Sequence, residues 1–101
     1  MEKVIKDGMV AILYSPGYGA GWSSWTHYPE CIFDPETVEW VMNYKRESPP
    51  NWKEKFGEDF YDGGALGLTV MWLPIGTMFR INEYDGSETI EICGEEEWVI
   101  A

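Results

Sequence analysis

The sequence predicts an α+β fold: a mostly antiparallel β-sheet with one or two short helices packed on one face. Three observations carry that expectation. Met9-Val10-Ala11-Ile12-Leu13-Tyr14 is an uninterrupted apolar run of strand length. From Leu68 onward the hydrophobic period is two, punctuated by the turn signals Pro74-Ile75-Gly76 and Asp85-Gly86. Between these regions, Phe33-Asp34-Pro35-Glu36 opens a segment with helical spacing.

Taken in order, Val4 and Ile5 precede Asp7-Gly8, a two-residue turn signal, so a short edge strand hairpins onto the strand from Met9 to Tyr14. Pro16 stops that strand because it has no N–H for a ladder. A loop follows in which Gly17, Gly19 and Gly21 alternate with Tyr18 and Ala20 before Trp22-Ser23-Ser24-Trp25-Thr26-His27-Tyr28. Asp34 is a good N-cap, Pro35 suits the first helical position, and Phe33 and Val38 stand where a hydrophobic staple forms. Val38, Val41 and Met42 are the expected core stripe, Lys45 and Arg46 the basic end, and Ser48-Pro49-Pro50 the limit of that helix. A second helix is expected from about Pro50 to Phe56, with Asn51 and Glu54 at capping-box spacing and Gly57 beyond its end. The segment from Glu58 to Gly67, broken by Asp62-Gly63-Gly64, reads as irregular.

Strands are then expected over Leu68–Leu73, Met78–Tyr84 and Ser87–Cys93. A two-residue turn at Asp85-Gly86 sets Tyr84 opposite Ser87, Arg80 opposite Glu91, Ile81 opposite Ile90 and Phe79 opposite Ile92. If the turn at Leu73–Gly76 is also a hairpin, Met71, Leu73, Phe79, Ile81, Ile90 and Ile92 share one face. Val70, Trp72, Met78, Arg80, Asn82 and Glu91 then take the other. Trp98-Val99-Ile100 is a short final strand or docked tail.

The length of 101 residues corresponds to a single domain, 1–101, and the hydrophobic content of 45% and aromatic content of 16% to a folded chain. Six Trp and six Tyr exceed the needs of a small core. Some are therefore expected in a pocket or between subunits of a homo-oligomer. A net charge of −11 opposes direct binding to nucleic acid or to an anionic membrane. After Arg80 no basic residue occurs, while Glu83, Asp85, Glu88, Glu91, Glu95, Glu96 and Glu97 accumulate. These acids read as solvated strand faces or as an acidic surface for a basic protein partner. The N-terminus has no apolar signal core and no run approaches membrane-span length, so a cytoplasmic protein with free thiols at Cys31 and Cys93 is expected.

The region from Gly8 to Pro29 contains no charged residue in a chain where 25% are charged. Gly17-Tyr18-Gly19-Ala20-Gly21 fits neither the dinucleotide fingerprint nor a P-loop. A tight glycine loop serving close backbone approach accounts for it, and so does a ligand loop. Close-approaching amides, hydroxyls and flat rings suit a small polar molecule that carries a ring. The candidate ligand-binding residues are Tyr18, Gly19, Gly21, Trp22, Ser23, Ser24, Trp25, Thr26 and His27. Arg80 is added as a cation for a phosphate, or else it is simply the cross-strand partner of Glu91. His27, Cys31 and Cys93 lack the paired short spacings of a metal site. With one His and no convincing nucleophile, neither an enzyme nor a bound cofactor is expected.

Three segments carry a resemblance: Val10 through Trp25, with its PGYGAGWSSW core; Phe33-Asp34-Pro35; and Phe79-Arg80-Ile81-Asn82-Glu83-Tyr84-Asp85-Gly86-Ser87-Glu88. They resemble a set of small proteins of tailed bacteriophages, over most of the chain apart from Lys45 to Gly64. The resemblance implies a role in the host cytoplasm and an anti-defence activity without catalysis. Some small phage proteins of this kind sequester cyclic-nucleotide or cyclic ADP-ribose signals as sponges. Others mimic DNA to block CRISPR complexes. The loop favours the first reading, the acidic C-terminal face the second. A structural or assembly role is third.

Overall fold

The computed structural model describes residues 2–17, 21–25, 28–61, 63–92 and 99–100. It is an α+β fold built from two antiparallel sheets. In the first, β1 (Ile5–Lys6), β2 (Met9–Tyr14) and β3 (Thr69–Pro74) lie in that order, with β2 central. The second has β4 (Met78–Tyr84) between β5 (Ser87–Ile92) and β6 (Val99–Ile100). The helices are α1 (Pro35–Met42) and α2 (Trp52–Lys55); 3₁₀ turns at Ser23–Trp25 and Pro29–Phe33 precede α1, and one at Ala65–Gly67 follows α2.

Both two-residue turns are as expected. Asp7 and Gly8 have φ of 55° and 76°, Asp85 and Gly86 of 51° and 84°, the paired left-handed geometry whose twist matches a hairpin. Each fixes its register: Lys6 faces Met9 in the first, and Tyr84–Ser87, Ile81–Ile90, Arg80–Glu91 and Phe79–Ile92 pair in the second. As an apolar run predicts, Val10, Ala11, Ile12 and Leu13 on β2 are all buried.

One continuous sheet through Leu73–Gly76 does not form. β3 pairs with β2 along its whole length, Val10 facing Leu73 and Ile12 facing Met71. The turn carries the chain to the second sheet instead. Gly76 is left-handed at φ 89°, Ile75 N–H donates to Gly8 carbonyl at 3.0 Å, and Thr77 N–H to Pro74 carbonyl at 3.1 Å. The turn chemistry was legible, but a Pro-Gly turn closes a corner between sheets as readily as a hairpin. The shared face expected for Met71, Leu73, Phe79 and Ile81 is therefore split between two sheets.

At the start of α1, the Asp34 carboxylate caps Thr37 N–H at 3.2 Å, accepts from the Thr37 hydroxyl at 2.5 Å and pairs with Lys55 Nζ at 2.7 Å. The Thr37 hydroxyl in turn accepts from Trp52 Nε1 at 2.7 Å, so one polar chain ties α2 to the cap of α1. The buried arc is Thr37, Val38 and Trp40, with Val41 packed beside them, and Met42 lies outside it. Asn51 caps α2 by accepting from Glu54 N–H at 3.1 Å.

α1 ends sooner than the spacing suggests. Lys45 N–H donates to Trp40 carbonyl and Tyr44 N–H to Val41 carbonyl, a Schellman closure that places Tyr44 and Lys45 at φ 61° and 55°. No glycine announces it in the sequence. A Tyr in that conformation costs about 1 kcal/mol relative to Gly. Tyr44→Gly is therefore expected to raise the melting temperature by roughly 3–6 °C, measured by thermal denaturation.

The core is aromatic to an unexpected degree. Trp22, Trp40, Trp52 and Phe60 are buried and meet at centroid distances of 5.6–5.9 Å, mostly at steep interplanar angles. Trp22 and Trp52 therefore belong to the interior of the monomer, with Trp40 buried at its edge. Trp98 lies outside the described residues, and among those described no helix is long and apolar enough to cross a membrane.

Candidate functional site

The glycine-aromatic loop is organised by a residue from the other end of the chain. In the β4–β5 hairpin, side chains alternate, so Glu88 shares a face with Phe79, Ile81, Ile90 and Ile92. On that face Phe79 and Glu88 are fully buried and Ile81 and Ile90 partly so, while Ile92, at the strand end, is exposed. Glu88 Oε1 accepts from Ser15 N–H at 2.8 Å. Its Oε2 accepts from Trp22 N–H at 2.8 Å, Ser24 N–H at 2.9 Å and the Ser24 hydroxyl at 2.6 Å, with the Ser23 hydroxyl at 3.5 Å. Around it, Glu88 N–H donates to Ser15 carbonyl at 2.7 Å and the Ser87 hydroxyl to Pro16 carbonyl at 2.7 Å. Glu88 thus clasps the departing end of β2 and the returning 3₁₀ turn together.

This is a nest of main-chain amides and alcohols around a carboxylate that the chain itself supplies. Burying a carboxylate costs several kcal/mol, which its hydrogen bonds offset without large surplus. What directional bonds contribute beyond an apolar plug is shape: both stems of the loop are fixed.

The clasp reassigns several candidates. Ser23 and Ser24 direct their hydroxyls to Glu88, and the Trp22 and Ser24 amides are used there too, so these donors do not face a guest. The Trp22 ring stands against Trp52 and Phe60 in the core, and its buried Nε1 has no hydrogen-bond partner among the described residues. Gly21 was expected to bring its amide close to a ligand. Instead it makes room for Trp25, because a Cβ there would lie 2.8 Å from that indole. Arg80 lies on the face of the hairpin opposite to Glu88, 3.6 Å from Glu91, so the sheet separates it from the clasp. The Arg80–Glu91 pairing is the one its register predicts.

Among the described candidates, Trp25 is the ring that stays accessible, at 43% exposure, with Tyr61 tilted against it at a centroid distance of 5.4 Å. Tyr61 carries no motif and went unnoticed in the sequence. Tyr18, Gly19, Thr26 and His27 lie outside the described residues, as do Cys93, Glu95, Glu96 and Glu97. Among the described acids of the C-terminal run, Glu88 is internal, Glu83 accepts from Gly86 N–H at 2.7 Å, and Glu91 engages Asn82 and Arg80.

Cys31 is a free, buried thiol among the carboxylates Glu88, Glu30 and Asp34. Burial first, then these negative charges, pushes its ionisation well above the ordinary thiol range. At mildly alkaline pH, iodoacetamide is expected to leave Cys31 unmodified in the folded chain and to modify it after denaturation, as read by peptide mass mapping.

A concave feature among the described residues lies elsewhere, away from the glycine-aromatic loop. A cleft of about 690 Å³ runs along α1 and the segment after it, lined by Glu36, Glu39, Trp40, Arg46, Glu47 and Pro50 among others. Trp40 Nε1 donates to Glu47 carbonyl at 2.9 Å across its floor, and Lys55 neutralises Glu36 at 2.8 Å. Comparison of the chain with protein-family models, with curated proteins and with solved structures returns no match.

Proposed function

We propose that this chain acts by binding rather than by catalysis, and that the Glu88-clasped loop is its recognition element. The observation that carries the reading is the clasp itself. A buried carboxylate holding Ser15, Trp22 and Ser24 is a costly way to close a loop unless the loop's shape matters. The guest is a small, ring-bearing nucleotide of the cyclic-nucleotide or cyclic ADP-ribose class, held without cleavage in the host cytoplasm as a phage anti-defence sponge. Its ring stacks at Trp25 and Tyr61, and its polar groups meet Tyr18, Gly19, Thr26 and His27. Stacking on an exposed aromatic is worth about 1–3 kcal/mol per base and tolerates any base. The net charge of −11 repels an anionic guest, and the stretch from Gly8 to Pro29 adds no charged side chain of its own to that repulsion.

The test is a melting-temperature panel of cyclic di- and trinucleotides and cyclic ADP-ribose. A ligand at about a hundredfold excess over its Kd stabilises by about 2.7 kcal/mol, a shift of roughly 10–20 °C. Trp25→Ala removes that shift, and the ligand returns intact from the heated protein. A chemically altered ligand indicates an enzyme instead.

A second reading rests on the cleft beside α1. Glu39 and Glu47 at the rim of a concavity floored by Trp40 suit a basic segment of another protein, the acidic-inhibitor alternative. Under that reading no nucleotide shifts the melting temperature, and partner binding weakens steeply with added salt.

A further inference from the structure

β3 is an edge strand, and its open side is unlike the rest of the chain. The Asp7-Gly8 turn and the bond from Ala11 N–H to Val4 carbonyl point Met9 and Ala11 toward β1. Val10 and Ile12 therefore point toward β3 and bond to their partners Leu73 and Met71. Alternation leaves the amides and carbonyls of Val70 and Trp72 directed outward, with no hydrogen-bond partner among the described residues. Pro74 also faces that side, where its missing N–H is not needed for the β2 ladder. From Gly63 to Phe79 there is no charged residue, in a chain of net charge −11. Neutral, apolar edges of this length are normally paired, covered or guarded by charge. Two large apolar side chains flank this one, Leu66 at 86% exposure before it and Ile75 at 57% after it.

We propose that this edge is a dimer interface and that its occupant is β3 of a second copy, antiparallel across a twofold axis. Charge selects the occupant. Two copies that both carry −11 repel along most surfaces, and this neutral edge is where they can approach closely. A basic peptide gains nothing here, because no acid lines the strand. The backbone selects the register. Pairing Val70 with Trp72 of the second copy, Met71 lying on the axis, uses every outward N–H of the strand. Moving the axis to Trp72 sets Val70 opposite Pro74, which cannot donate. Moving it to Val70 sets Trp72 opposite Leu68, whose N–H is already bonded to Ala65 carbonyl. The chosen register also brings Leu66 of each copy beside Ile75 of the other, burying both. The result is a six-stranded sheet continuous through both copies. The inference is independent of the nucleotide reading.

Sedimentation equilibrium and light scattering on the intact chain test it, from dilute to high micromolar concentration. A monomer–dimer equilibrium is expected that tightens as salt is added, since salt screens the repulsion between like-charged copies. Leu66→Asp, at a fully exposed position, leaves far-UV circular dichroism unchanged and weakens dimerisation about tenfold or more, from lost apolar burial and added repulsion. Combining it with Ile75→Lys restores most of that loss, because each Asp then meets a Lys of the other copy. A monomer at every concentration overturns the proposal. So does a dimer that weakens with salt, or one that Leu66→Asp leaves unchanged.

Discussion

Glu88→Ala is expected to destabilise the chain by about 3–5 kcal/mol, because three main-chain N–H groups and a hydroxyl lose their acceptor, the Ser15 and Trp22 amides at buried positions. In a domain of this size that lowers the melting temperature by roughly 15–30 °C, enough to bring a marginally stable fold close to unfolding. Glu88→Gln retains the shape and most of the loss. Its amide nitrogen must face either the Ser15 donor or the cluster formed by Trp22 and Ser24, and a donor cannot satisfy a donor. Thermal and urea denaturation of both variants measure this. A loss under about 1 kcal/mol in each would mean that the amides find other acceptors and that the clasp does not organise the loop.

The second large effect separates two tryptophans that the sequence presents as equivalent. Trp22→Ala empties a fully buried site against Trp52 and Phe60 and is expected to cost about 3–5 kcal/mol. Trp25→Ala, at a half-exposed position, is expected to change stability by no more than about 1 kcal/mol. Binding inverts the order: Trp25→Ala abolishes the nucleotide-induced shift. Trp22→Phe, which also removes the orphaned indole N–H, retains it. Denaturation curves and the melting panel on the same preparations read both.

Local rules made much of the fold legible. Asp7-Gly8 and Asp85-Gly86 each dictate a left-handed pair, and the register of both hairpins follows from that alone. Asp34-Pro35 and Asn51 likewise declare the starts of α1 and α2 through their own side chains. The misreadings arise where a local pattern has two tertiary outcomes. Pro74-Ile75-Gly76 serves a corner between sheets, and Tyr44 takes a conformation that the hydrogen bonds closing α1 require and its residue type disfavours. At the candidate site, the supply of amides and hydroxyls in the loop was readable, but that a carboxylate of the same chain engages them was not. One signal did exist. Glu88 falls on the same strand parity as Ile90 and Ile92, an acid at a position patterned for the interior. Its partners are more than sixty residues away in sequence, so no local rule connects them.

The clasp is tested most directly by amide hydrogen exchange at Ser15, Trp22 and Ser24, followed residue by residue in the wild type and in Glu88→Gln under native conditions. The account predicts slow exchange at all three in the wild type, although each belongs to a loop or its stems, and loss of protection there in the variant while β2 amides stay protected. Fast exchange at Trp22 and Ser24 in the wild type would contradict it.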